Sequence, residues 1–170
     1  LDLALNSIHA NAKNILISID QTTQEHLLTL VIEDDGDGMD GGTLSRALEP
    51  GFTTKKDGTG GMGLSRFSET VQQMQGTLLL ESEAGCGTTV KASFPVDGQD
   101  SSFIGDMSQT MAALLSGFPQ VNVIYRHRKD RRILLYSTAQ ARWQFAFEKR
   151  AAFAAYIWTR ATLEEWFSHL

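Results

Sequence analysis

The chain has 170 residues, a formal net charge of -5, and 42% hydrophobic against 21% charged residues. That apolar content, over that length, is enough to bury a core, which excludes disorder as the main state. No apolar run approaches the ~20 residues of a membrane span, and the lone Cys86 excludes an internal disulfide or a CxxC site, so a reducing, cytoplasmic setting is expected.

Leu1, Leu5, Ile8 and Ala12 recur at helical spacing and predict a helix over 1–13. No basic-then-apolar leader opens the sequence. Leu1 is already inside this periodic segment and is not a Met, so a short N-terminal piece is expected to be missing. Ile15, Ile17 and Ile19 alternate as in a strand; 21–26 is a polar turn; 27–33 is a second, more buried strand. The stretch DDGDGMDGG is too rich in Gly and Asp for an element interior, and 43–48 is expected to form a short helix. Residues 49–61 form a long Gly-rich loop of the functional kind. A helix follows over 63–75, stopped by Gly76, then a hairpin of strands 77–83 and 88–94. Residues 96–104 read as a linker. Beyond it come a helix over 106–116, strands over 120–127 and 132–138, and helix over 139–169.

Charge changes sign near the linker. Residues 1–100 hold 15 acids and 6 bases, whereas 101–170 hold 5 acids and 9 bases. The acidic excess speaks against a broad nucleic-acid face on the first part. The change of sign predicts two units, 1–96 and 97–170, the second open to packing on the first.

Three separated segments carry chemistry. Asp2 and Asn6 stand at i, i+4 on one helix face. An Asn carbonyl suits Mg²⁺, a hard cation held by few protein groups plus phosphates and water, and a carboxylate one turn away can position or deprotonate water. The bland alternative is an exposed polar face. Second, Asp34-Asp35-Gly36-Asp37-Gly38-Met39 follows a buried strand. A carboxylate there can accept from an exocyclic amine such as adenine's, and the glycines let backbone approach a flat ring. A calcium loop fails from either start, since position 12 is Ser45 or Arg46; a solvated turn stays as the rival. Third, Gly58-Thr59-Gly60-Gly61-Met62-Gly63 opens a helix. Amides in such a turn bind phosphate oxygens. The literal GxGxxG lacks the preceding strand of a dinucleotide fold, and no Gly-Lys-Ser/Thr completes a P-loop.

Together these segments resemble the GHKL superfamily of ATPases, which includes gyrase, heat-shock chaperone, histidine kinase and mismatch-repair members. LALNSIHANAKNI resembles the N box, in a form near that of the mismatch-repair proteins; VIEDDGDGM resembles the G1 box, EPGFTTK the F box and GTGGMGLS the G2 box. GTLLLESEAGCGTTVKASFP is similar to the last two strands of histidine-kinase catalytic domains. The resemblance implies an α/β fold: an α+β two-layer sandwich of the Bergerat type with a mixed sheet, binding ATP and Mg²⁺, plus a C-terminal α/β extension.

By motif position Asn6 would ligate Mg²⁺, and Asp34 would bind the adenine amine. Gly36, Gly38 and Met39 would line the base, and Thr88 would support it through water. Phe52 to Gly61 would be the lid. Gly58, Gly60, Gly61, Gly63 and Leu64 belong to the ATP-binding G2 segment, with Gly61 and Gly63 at the phosphates. Lys55 or Lys56 could reach those phosphates. Asp2 occupies the place of a catalytic Glu, one methylene short, and His9 a place where histidine kinases often carry Lys or His.

The sequence also departs from the pattern. Thr59 replaces the first Gly of the kinase G2 box, and none of His9, His26, His127 and His169 has the setting of a phosphoacceptor. A complete self-phosphorylating sensor kinase is therefore not expected. The run from Arg126 to Arg132 reads as the charged tip of a hairpin, with a phosphate or nucleic-acid patch as the alternative. The aromatics from Trp143 to Phe167 are expected to pack, some forming a docking surface for a protein partner. The function expected is ATP hydrolysis or phosphoryl transfer to a partner protein. The alternatives are a nucleotide-switched binding module with little turnover, or the catalytic fragment of a sensor kinase.

Overall fold

In the computed structural model, residues 1–53, 62–96 and 104–169 are described. The elements run α1 (Asp2–His9), β1 (Asn14–Thr22), β2 (Leu27–Asp34), α2 (Gly41–Arg46), α3 (Gly63–Gln73), β3 (Thr77–Glu83) and β4 (Gly87–Pro95). They continue with α4 (Met107–Gly117), β5 (Asn122–Lys129), β6 (Arg132–Ser137), α5 (Thr138–Gln144) and α6 (Ala151–Ser168). One mixed six-stranded sheet has the order β3-β4-β2-β1-β5-β6. Every pairing is antiparallel except that of β1 with β5, which is parallel, Asn14 facing Asn122 and Gln21 facing Lys129.

The period of two along the strands fixes the layers. Ile15, Ile17 and Ile19 of β1, Leu28 and Ile32 of β2, Val90, Ala92 and Phe94 of β4, and Val123 and Tyr125 of β5 are all buried toward the helices. Helices supply Val71, Met111, Leu114 and Leu163 to the same core. The opposite face is open at β5 and β6, where Ile124, Ile133 and Leu135 are exposed.

The larger departures from the sequence reading have local reasons. α1 ends at His9 rather than near 13, because Asn11 takes a left-handed φ of 62°. The amide of Ala12 turns back to the carbonyl of Ser7 at 3.1 Å, satisfying an end-of-helix acceptor. α2 begins two residues before 43, since the Asp40 carboxylate accepts from the Thr43 amide at 2.7 Å and caps the helix across two glycines. The helical stretch after 138 is two helices, with turns over 145–150 between them. The tail hairpin turns at Asp130, whose φ of 52° and hydrogen bonds to Thr23 place the basic run on either side of the tip.

Candidate nucleotide-binding site

The site grows from the carboxyl end of β2. Asp34 closes the strand with its carboxylate fixed from two sides: Ser7 Oγ of α1 donates to Oδ2 at 2.6 Å and the Gly36 amide donates to Oδ1 at 3.0 Å. Ser7, adjacent to Asn6 on α1, went unread in the sequence. Its only signal was its place one residue after the Asn on a helix that faces the aspartate strand.

Beyond Asp34 the chain is pinned by close backbone approaches. Gly38 has φ +64°, and a Cβ there would lie 2.0 Å from the Glu83 carbonyl oxygen. Gly87 has φ +94°, and a Cβ there would lie 1.9 Å from the Asp34 carbonyl oxygen. Only glycine fits either position. The β3–β4 turn is thereby clamped to the aspartate loop, and the Gly85 amide donates to the Asp37 carbonyl at 2.7 Å. Ser82 completes the clamp. It accepts from the Met39 amide at 2.8 Å and donates to the Gly87 carbonyl at 2.8 Å, with Thr88 Oγ1 at 2.9 Å.

These elements enclose a cleft of about 520 Å³, within the usual size of small-molecule sites. Its lining brings together Asn6, Asp34, Gly38, Met39, Phe52, Gly63, Leu64 and Thr88 from five separate stretches of sequence, with His9 at its wall. Leu3, Leu80 and Val90 give it an apolar floor. Phe52 is held by the Arg46 guanidinium, 4.5 Å from its ring centroid.

Two expected residues stand beside this lining: the Gly36 amide holds the Asp34 carboxylate, and the Asp2 Cβ lies 3.6 Å from where a Cβ on Gly63 would stand. Gly36 packs against the end of α1, where a Cβ would come within 2.5 Å of the Ala10 carbonyl oxygen. Its smallness serves the junction of loop and helix. Asp2 borders an adjoining apolar cavity on the other side of Gly63, formed by α1, α3, α4 and the sheet. Lys55, Gly58, Gly60 and Gly61, with Lys56 and Thr59, lie outside the described residues.

A mixed sheet covered on one face by helices, with a strand-end aspartate and a helix-borne asparagine lining one cleft, is an α/β fold with a site of small-molecule size. Residues 1–98 match the family of histidine kinase-, DNA gyrase B- and HSP90-like ATPases, and the chain belongs to that family. Its relatives include sporulation kinase E of Bacillus subtilis, 39% identical over 83 residues, covering 49% of this chain and 11% of the relative. Another is the sensor histidine kinase ZraS of Escherichia coli K12, 33% identical over 97 residues, covering 57% of this chain and 21% of the relative. The chain thus spans about a tenth to a fifth of the length of these relatives. Among solved structures, the N-terminal domain of a DNA repair protein shares the fold with a TM-score of 0.51 at 17% identity, over 79% of this chain and 49% of that one. The fold class and the histidine-kinase-like ATP-binding domain expected from the four boxes are therefore established.

Proposed function

We propose that the cleft between α1, α3 and the β2–α2 loop holds ATP with its adenine on Asp34, and that the chain hydrolyses the nucleotide or passes its γ-phosphoryl group to a partner protein. The observation that carries this reading is Asp34 itself. Its carboxylate is anchored by Ser7 and the Gly36 amide, yet it still borders the cleft with lone pairs free to accept from an exocyclic amine. Gly38 and Met39 line the cleft beside it, where backbone and an apolar side chain can meet a purine ring. Gly63 and Leu64, at the start of α3, lie where phosphates would meet a helix N-terminus.

Mg²⁺ fits the donor set as a phosphate-bound ion. Asn6 offers one neutral oxygen to the cleft, and no group of three His, Cys, Asp or Glu gathers among the described residues. A cation here would rest on Asn6, water and the triphosphate, which is how Mg²⁺ is ordinarily held. When bound, the ion supplies neutralisation of charge on the transferring phosphoryl group. The protein's own share is positioning: Asp34 orients the base, the Gly38–Met39 segment excludes water from it, and Asn6 sets the polyphosphate end.

A second reading, a nucleotide-switched binding module with little turnover, is favoured by Asp2. Its side chain borders the neighbouring cavity, and it is a methylene shorter than a Glu. The protein partner would dock on the aromatic tail, where Trp143 and Phe147 are exposed. No helix among the described residues is long and apolar enough to cross a membrane.

The test is thermal unfolding with and without Mg-ATP and Mg-ADP, for wild type and Asp34→Ala. A ligand at ~100 times its dissociation constant adds about 2.7 kcal/mol. A shift in wild type that vanishes in Asp34→Ala is expected, whereas equal shifts would move adenine elsewhere. Phosphate release that survives Asp2→Asn would remove Asp2 from the reaction.

A further inference from the structure

A polar chain leaves the aspartate loop and runs across the sheet into the tail. Asp35 follows Asp34 directly. Its Oδ1 accepts from the backbone amides of Lys13 and Asn14 at 2.7 and 2.8 Å, and its Oδ2 accepts from Asn14 Nδ2 at 2.7 Å. Asn14 Oδ1 then accepts from Asn122 Nδ2 at 3.2 Å, across the first rung of the parallel β1–β5 ladder. Asn122 Oδ1 in turn accepts from Arg142 Nη2 of α5 at 2.9 Å. The same Arg142 nitrogen donates to the Val121 carbonyl at 3.2 Å.

Each link has its donor on the same side. Protons point from the guanidinium through two amides to the carboxylate, so the bonds polarise one another in one direction. Each amide uses its oxygen and its nitrogen, and a flip of either would break two links at once. The hydrogen bonds from Asn14, backbone first and side chain second, hold the Asp35 carboxyl below its ordinary range. At the other end, burial lowers the basicity of Arg142, and its Nη1 is buried with no partner among the described residues. A guanidinium partly out of water depends on the acceptors it has.

We propose that Asn122 and Arg142 are positioning residues for the nucleotide, acting through Asn14 and Asp35 on Asp34, so that occupancy of the cleft and the order of α5 are coupled. The proposal rests on the assignment of adenine to Asp34. It also reaches past residues 1–98, the part matched by the family, because Asn122 and Arg142 both lie beyond it. By linkage the effect is reciprocal: nucleotide firms α5, and whatever docks on α5 changes nucleotide affinity. Trp143, next to Arg142 and 78% exposed, places a large apolar contact beside the chain's last link.

The experiment uses the whole chain with Mg-ADP as probe, read by calorimetric titration and by hydrogen exchange of the amides in 138–144. In wild type, Mg-ADP is expected to slow exchange in 138–144 beyond any slowing in 151–168, which removes the general effect of a ligand on global stability. Asn122→Asp keeps an acceptor for Arg142 but has no donor for Asn14. It is expected to weaken Mg-ADP binding roughly 3–10-fold, the usual worth of one hydrogen bond, and to abolish the selective slowing. Arg142→Lys, which keeps a donor, is expected to stay within about twofold of wild type.

Wild-type binding without selective slowing in 138–144 would overturn the coupling, and that result needs no variant to fold. Loss of binding in Asp34→Ala with wild-type affinity in Asn122→Asp would overturn the relay alone. Undiminished binding in Asp34→Ala would overturn the adenine assignment and the relay with it.

Discussion

Two glycines and a serine decide whether the aspartate loop exists in its present shape. Gly87→Ala would push a methyl group into the Asp34 carbonyl and force an alanine into a left-handed conformation. It is expected to cost at least about 2 kcal/mol and to weaken nucleotide binding together with stability, as denaturant melts and Mg-ADP titration would show. Ser7→Ala removes one of the two donors that fix the Asp34 carboxylate. It is expected to lower stability by about 1.5 kcal/mol or more, the worth of a hydrogen bond to a charged group, read as a lower denaturant midpoint without ligand, and to weaken Mg-ADP binding because Asp34 is left with a single anchor. That Asp34, Gly38, Met39 and Thr88 share one cleft was legible in the sequence, because a strand end, a glycine pair and a fixed motif order mark them. Ser7 and Ser82 were not, because a serine announces nothing until the fold shows which carboxylate or amide it faces. Gly36 is expected to line the base, and the structure adds that its missing side chain also makes room for the end of α1. A sequence shows that space is needed without showing for what.

Among the elements, α4 and β5 carry expectations of their own. Asp106 caps α4 by accepting from the Gln109 amide at 2.8 Å, and Ser108 donates to the same oxygen at 2.6 Å. Asp106→Ala is expected to lower stability by about 1 kcal/mol, measured as a shift of the denaturant midpoint at unchanged slope. β5 places His127 inward, 1% exposed, against Trp166 and Phe167 of α6 with ring centroids at 4.8 and 5.6 Å. Tyr125 Oη lies 2.8 Å from its Nδ1, while Nε2 has no partner among the described residues. Burial, aided by Lys129 and opposed by Asp20, lowers its pKa from 6.5 to about 4. The unfolded chain therefore binds this proton first, and stability falls as pH drops from about 6.5 toward about 4. At the acid end of that window the loss is roughly 3 kcal/mol. His127→Gln is expected to flatten that limb, and an unchanged slope in the variant would assign the acid loss to other groups. The strands and helices themselves were legible from alternation and spacing to within a few residues. Two of the boundaries that moved were set by Asp40 and Asn11, where one side chain or one left-handed residue outweighs the periodic pattern around it.

At the scale of the whole molecule, the tail is stitched to the front of the chain by a parallel strand pair that nothing in the sequence foretold. Hydrophobic alternation shows that 122–129 is a strand, but not which strand it adjoins. Side chains on the face away from the helices bridge the pair in this register: Arg126 Nε donates to Ser18 Oγ at 2.9 Å, and Arg128 pairs with Asp20 at 2.6 Å. A sheet shared in this way is expected to melt as one transition, with tryptophan fluorescence and far-ultraviolet dichroism coinciding in denaturant. Two separated transitions would show that the tail is a unit with its own stability. The β1–β5 pairing also has a consequence in time. Asn14 and Asn122, Ser18 and Arg126, and Asp20 and Arg128 each meet across 108 residues of chain. A nascent chain on the ribosome therefore completes β1–β4 well before β5 emerges. At an elongation rate of roughly 5–20 residues per second, the far edge of β1 stays unpaired for several seconds, offering bare amides and carbonyls to any other strand. A chaperone that shields this edge during synthesis would raise the yield of folded protein more than one added after release.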